Sequence, residues 1–390
     1  MNKTRIMTIG EVCATISDTY RSPADEVTLI NTSDVLEGKV LNHERVPNKE
    51  LKGQFKKTFK KNDILYSEIR PQNKRFAFVD FDPVDYIAST KLMVIRADTS
   101  KVLPMYLYYH LKSAPVIAEL QMLAETRSGT FPQITFTELS KLTIPVPGIS
   151  EQETIVATLK CIEDKIDCNT EINDNLYEMV NAYYTSLFKD VECEMTTIGN
   201  YAERIYSGGT PTTSNATYWD GAFGWFSSGE TRNRFVISTE KTITQAGIDN
   251  SSAKLAEKHD IVMASAGQGF TRGQTSMLLI DTYVNQSVIV IHADMNVLPY
   301  LFWNLANRYE ELRAISDSSS IRGSLTTKMI AAFEIPLANE DSLQAFADFS
   351  WSVIPQIEYN LLENESLAAL RDTLLPKLMS GELDVSDIQL

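Results

Sequence analysis

The 390-residue chain predicts an α+β fold in which a mixed α/β globular unit occurs twice, each copy running into a long helix that pairs with the other. Three features carry this prediction: an internal repeat, strand-like apolar runs inside each copy, and two helical segments with matching coiled-coil stripes.

The repeat sets the organisation. TIGEV at 8–12 returns as TIGNY at 197–201, KNDILYS at 61–67 as KHDIVMA at 258–264, and YIASTKLMVIRAD at 86–98 as YVNQSVIVIHAD at 283–294. KVLPMYLYYHL at 101–111 is matched by NVLPYLFWNLA at 296–306, and LTIPVP at 142–147 by FEIPLA at 333–338. Five blocks in one order, at an offset that drifts by a few residues, mean a duplication with loops of unequal length. Within each copy, runs such as ILYSEI, LMVIRA, IVMASA and SVIVIHA are broken by Gly, Pro and Asn, the grammar of a strand-rich unit. The expected segments are globular units at 1–140 and 195–330, with helical segments at 141–194 and 331–390.

The helices are expected over 150–188 and about 341–378. In the first, alternating spacings of four and three pick out Ile155, Leu159, Ile162, Ile166, Asn169, Asn173, Leu176, Val180, Tyr183 and Leu187. An offset of 191 carries that stripe onto Phe346, Ser350, Val353, Ile357, Asn360, Asn364, Leu367, Arg371, Leu374 and Leu378. A stripe this narrow suits a helix partner, and two asparagines recur at the same seam positions in both copies. Polar seam residues lower stability but fix register, so the helices are expected to pair. The competing reading, two helices each packed on its own globular unit, stays open at this point.

Charge is segregated. Residues 1–140 hold 19 basic and 17 acidic side chains, and 195–330 hold 11 and 12. The helical segments hold 4 against 11 and 2 against 11, so they account for the whole of the net −15, the globular units being close to neutral. That distribution excludes a protein that coats nucleic acid indiscriminately, which needs surplus cations, yet leaves room for a local basic face on the globular units. The four cysteines form no C-x-x-C pair and read as reduced thiols. With no apolar h-region at the N-terminus and no bilayer-length apolar run, the expectation is a cytoplasmic protein with no membrane partner.

Catalytic signatures are missing. There is no H-E-x-x-H, Walker lysine loop or G-x-S-x-G, and the four histidines have no metal-ligand spacing, so no catalytic residue and no metal site is expected. Glu163-Asp164-Lys165 has the E-x-K spacing of some nucleases but sits inside the amphipathic helix, beside the seam residue Ile166.

What remains is a set of polar loops at matching stations of the repeat. Copy one offers Thr32 and Ser33, then Arg70, Gln72, Lys74 and Arg75, then Arg127 and Thr130, with Lys57 and Lys60 in a lysine-rich stretch suited to phosphates. Copy two offers Thr212, Ser227, Ser228 and Arg232, then Gln268, Thr271 and Arg272, then Arg322 and Ser324. Arg and Lys pair with guanine edges and Gln and Asn with adenine. Two similar scaffolds carrying different polar residues would read two different half-sites. The aromatic cluster Tyr218-Trp219 and Trp225-Phe226 reads as core and turn packing.

Four stretches make the chain resemble the specificity subunits of type I restriction–modification systems: KLTIPVPGISEQETIVATL at 141–159, SGGTPTTSNATYWDGAFGWFSSGE at 207–230, NQSVIVI at 285–291 and ALRDTLLPKLMSGEL at 369–383. The resemblance covers essentially the whole chain. It implies two target-recognition domains separated by two antiparallel helices, which together read a bipartite site in double-stranded DNA. It further implies two modification subunits that bind the helices and methylate adenine with S-adenosylmethionine, and restriction subunits that add ATP- and Mg-dependent cleavage. None of those cofactors would be bound by this chain. A helix of about 36 residues spans roughly 54 Å, more than the ~34 Å between successive major-groove faces. Two departures stand out. Copy two has Ala338 where copy one has Pro147, with no equivalent of Glu151-Gln152, and the Tyr218-Trp219 block has no evident counterpart near 22–33. A DNA-independent coiled-coil adaptor and a fused modification enzyme are the rival readings.

Overall fold

The structure, a computed structural model, describes residues 4–49, 53–126, 132–188, 194–267, 270–318 and 323–383. The chain divides into two compact units: residues 1–165 together with 366–390, and residues 166–365.

In the first unit one four-stranded sheet runs Cys13–Ile16, Leu92–Ala97, Ile64–Ser67, Phe76–Phe78, with every pairing antiparallel. The strands Ile64–Ser67 and Leu92–Ala97 are nearly continuous apolar runs because both of their faces are covered. Successive side chains point to opposite faces. Ile64, Tyr66, Met93 and Ile95 therefore enter a core with the helices Pro104–Leu111 and Ala114–Glu125, whereas Leu65, Ala77, Leu92 and Val94 enter a second core. That second core is shared with a sheet ordered Val46–Pro47, Glu26–Ile30, Tyr86–Ser89, Phe55–Lys57, in which Tyr86–Ser89 runs parallel to Glu26–Ile30. A two-stranded ribbon of Arg5–Thr8 and Thr143–Val146 closes the unit beside the first long helix, Ile149–Phe188.

The second unit repeats the two main sheets of this plan in the same order, with one strand added. Its central sheet runs Ala202–Ser207, Val288–Ala293, Ile261–Ala264, Thr275–Leu278, and adds Phe235–Val236 parallel to the last. Its second sheet runs Lys241–Ile243, Trp219–Phe226, Thr282–Val284, Lys254–Ala256, again with the one parallel pair in the middle. The strand Trp219–Phe226 thus occupies the place of Glu26–Ile30, so the aromatic block does have a counterpart in copy one, carried by topology where residue identity hid it. Trp225 and Phe226 are buried, and the indole Nε1 of Trp219 and Trp225 donate to the carbonyls of Thr212 and Gly209, as expected of core and turn packing.

The long helices span Ile149–Phe188 and Glu340–Ser380. In the second unit they pair antiparallel. The Asn169 amide donates to Asn364 at 2.9 Å and to Glu363 at 2.6 Å, and Asn360 donates to Asn173 at 2.7 Å. The repeat offset carries Asn169 to Asn360 and Asn173 to Asn364, so the two amide pairs are copies of one another and the seam is self-complementary. Val353 and Ile357 are buried beside them, and Ile166 and Leu176 are half-buried, as is Leu367 in the first unit. In the first unit Ile155 and Leu159 are buried with Leu375, Leu378 and Met379, while Ile162 is half-buried.

The two readings weighed for these helices prove complementary. Tyr177, Tyr184 and Phe188 lie off the seam and pack with Tyr300, Trp303 and Phe346 in the core of the second unit. The apolar face is therefore wider than a coiled-coil stripe, because the helix meets both a partner helix and a globular core. Glu163 accepts a hydrogen bond from Tyr109 at 2.8 Å and pairs with Lys112, so the E-x-K triplet serves packing. Gln152, which copy two lacks, is fully buried and ties the helix entry to the Leu103 amide and the Lys101 and Pro147 carbonyls.

Candidate nucleic-acid interface

In each unit the described residues of the polar stations are tied to one another by hydrogen bonds and ion pairs. In copy one, Asn31 caps a short turn over Thr32–Asp34, and Arg75 reaches back to donate from Nη1 to the Ser33 carbonyl at 3.0 Å. Lys74 pairs with Glu37 at 2.9 Å, joining the first station to the second. Arg70 and Lys74 hold positive φ on either side of a one-turn helix, Pro71–Asn73, which presents Gln72 and Asn73 to solvent. The Arg70 amide donates to Pro132, which brings the chain that leaves the third station alongside the second.

Copy two converges in the same way. Ser227 caps a turn over Ser228–Arg232 through a box with Glu230, and the carbonyls of Thr231 and Asn233 accept from the Ser276 hydroxyl. The Leu325 amide donates to the Ser265 carbonyl, and Arg272 donates to Gly323 at 2.7 Å, so the third station is laced to the second. Thr212 is exposed, whereas Ser227, Ser228, Thr271 and Ser324 are half-buried. Arg127, Thr130, Gln268 and Arg322 lie outside the described residues.

Several expected readers are redirected. Lys57 turns its ammonium inward onto the carbonyls of Thr90 and Leu92, and burial depresses its pKa. Lys60 is exposed but stands at the start of the strand Ile64–Ser67, whereas the stations gather at its far end. Arg75 is half-buried with its guanidinium on two carbonyls, and acts as the brace between two stations. Arg272 has only 13% of its side chain exposed, held by Gly323 and by an ion pair with Asp317, so it positions the loop instead of facing outward. Arg232 is exposed and paired with Glu240.

Two features escaped the sequence reading. Asp63 is 1% exposed and accepts a fork of bonds from Arg96 at 2.8 and 2.7 Å. Asp260, equally buried, accepts from the His292 Nδ1 at 2.6 Å, and burial raises its pKa. Both pairs sit inside repeated blocks (KNDI and KHDI, RAD and HAD), so the duplication itself contained the signal. The other feature is Phe270, 83% exposed on the loop of the second station. Among the described residues no group of three His, Cys, Asp or Glu could hold a metal ion, and no helix is long and apolar enough to cross a membrane.

A family model described as the type I restriction modification DNA specificity domain matches residues 1–178 and again 191–349. The chain belongs to this family of type I specificity subunits. Its two matched stretches are the two copies of the repeat. The chain is similar to the type I restriction enzyme HindI specificity subunit of Haemophilus influenzae, at 28% identity over 96% of this chain and 98% of that one. It is also similar to the EcoR124I/EcoR124II specificity subunit of Escherichia coli, at 26% identity over 73% and 70% of the two chains. The crystal structure of a type I system S subunit from M. genitalium shares the fold, with a TM-score of 0.59 at 16% identity over 97% of this chain and 96% of that chain.

Proposed function

We propose that this specificity subunit reads a bipartite site in double-stranded DNA, one half-site per globular unit, and carries out no catalysis itself. The observation that supports this best is the pairing of a shared strand order with unlike stations. In both units the described loops of neighbouring stations are tied to one another beside equivalent strands, yet Gln72 and Asn73 stand in the connection where the other copy presents Phe270. One scaffold with two sets of side chains is what reading two different short sequences requires.

Exposed residues such as Ser33, Gln72, Thr212 and Arg232 are the proposed contacts. Lys74, Arg75 and Arg272 hold the loops, a division of labour in which supporting bonds fix where readers point. The acidic helical segments would repel phosphate and are proposed to hold two modification subunits, with restriction subunits joining that assembly in the cytoplasm. S-adenosylmethionine, ATP and Mg would be bound by those partners. The coiled-coil adaptor reading has no observation in its favour.

The test is co-expression with the cognate modification subunits, followed by genome-wide mapping of methylated adenine. The expected outcome is one motif of two unlike half-sites separated by a fixed non-specific spacer. A contiguous motif, or methylation without any motif, would overturn the proposal.

A further inference from the structure

Phe270 lies between the paired strands Ile261–Ala264 and Thr275–Leu278, at the tip where the second and third stations of copy two converge. At 83% it is the most exposed large apolar side chain among the described residues. Burying a phenylalanine is worth about 1.5–3 kcal/mol, so a free chain has reason to fold such a ring inward. Here the loop that carries it is braced by hydrogen bonds. The Phe270 carbonyl accepts from the Tyr309 hydroxyl at 2.7 Å, the Gln274 amide donates to Thr271 at 2.8 Å, and Gly273 donates to Ala264 at 2.9 Å. Arg272 next door is tied to Gly323, and Asp317, the carboxylate attached to this loop, is neutralised by Arg272 and by Arg313 at 3.5 Å. An aromatic ring is thus held in water by a braced loop on which no unpaired acid has been placed to repel phosphate. The matching connection of copy one carries Gln72 and Asn73 at its tip and no aromatic.

We infer that Phe270 inserts its ring between base pairs of the half-site read by residues 195–330, unstacking one step there while the other half-site stays stacked. Apolar wedges act in this way when a protein kinks duplex DNA, and the cost of unstacking is lowest at pyrimidine–purine steps. The half-site of copy two should therefore contain a TA or CA/TG step beside the ring, whether or not any polar group touches it. This rests on the proposed reading of a bipartite site, and extends it from base-edge contacts to DNA deformation on one side only.

The experiment uses the complete complex with its modification subunits and duplexes carrying the mapped motif. 2-Aminopurine is placed at successive positions of each half-site. The wild type should brighten one step of the copy-two half-site severalfold and none in the other. Phe270→Ala should abolish that signal and weaken binding about ten- to hundredfold, the scale of one lost stacking contact, while Phe270→Trp restores both. Because the ring is solvent-exposed, Phe270→Ala should melt within a degree or two of wild type, which separates loss of contact from loss of fold. An unchanged 2-aminopurine signal in Phe270→Ala overturns the inference and leaves bipartite reading intact. So does loss of modification-subunit binding with the DNA signal unaltered, which would mean that protein covers the ring. Wild-type complex that prefers no sequence over a scrambled duplex overturns the underlying reading as well.

Discussion

Replacing Arg272 distinguishes a loop brace from a base reader. Its Nη1 donates to the Gly323 carbonyl at 2.7 Å, its Nη2 pairs with Asp317, and its Nε is buried with no partner. Arg272→Ala removes a bond from a charged donor, worth about 1.5–3 kcal/mol, and an ion pair to a half-exposed carboxylate, worth under about 1 kcal/mol. It also relieves an unsatisfied buried N–H, which returns about 1 kcal/mol. The net expectation is a loss of about 2 kcal/mol, a fall of roughly 1 M in the urea midpoint at m of about 2 kcal/mol/M. Arg272→Lys should recover little, because an ammonium cannot span the carbonyl and the carboxylate as the guanidinium fork does. Methylation should weaken through the copy-two half-site, in step with the lost stability. If Arg272→Ala leaves the midpoint within about 0.2 M of wild type while one half-site ceases to be read, Arg272 contacts bases directly and the brace assignment is refuted.

Other perturbations have equally definite outcomes. Asn169→Ala leaves Glu363 and Asn364 without their 2.6 and 2.9 Å partner and should lower stability by about 2–3 kcal/mol; a double-mutant cycle with Asn364→Ala should show a coupling near 1 kcal/mol, and additive effects would deny the amide pair. Arg96→Ala strands the buried Asp63 carboxylate and should cost about 3–5 kcal/mol by thermal melting, with a loss under about 1 kcal/mol excluding the fork. His110 is buried with Nε2 donating to the Thr143 carbonyl and Nδ1 unpartnered, and burial pushes its pKa down to about 4. A depressed histidine leaves the folded chain unprotonated where the unfolded chain takes up a proton. Stability from this site is therefore whole above about pH 6.5 and drains away toward pH 4, by about 3 kcal/mol in all. His110→Gln should flatten that part of the pH profile, and an unaltered slope would show that another group is responsible.

The fold was legible because its strongest signals are periodic. Expected helices at 150–188 and 341–378 appear as Ile149–Phe188 and Glu340–Ser380, and the recurring asparagines do meet across the seam. Tyr177, Tyr184 and Phe188 were missed as core because a search for a two-helix stripe ignores the third surface that the helix covers. At the proposed reading stations, several of the side chains singled out from the sequence are held by backbone groups of the fold. Lys57, Arg75 and Arg272 look like available cations in a sequence, and only the folded backbone reveals which carbonyls they satisfy. Phe270 hid for the opposite reason, since an apolar residue in a glycine-rich loop gives no hint that it will be left in water.

The buried acid at the start of each central strand carries a lesson about descent. Both copies carry the aspartate, at position 63 and at position 260, while its partner is an arginine in one and a histidine in the other at the same place in the sheet. The two copies preserve the architecture while one aspartate is clasped by a guanidinium fork and the other by an imidazole ring. Two heirs of a single module have in this way acquired unlike internal chemistry, independently of whatever each has learned to recognise outside.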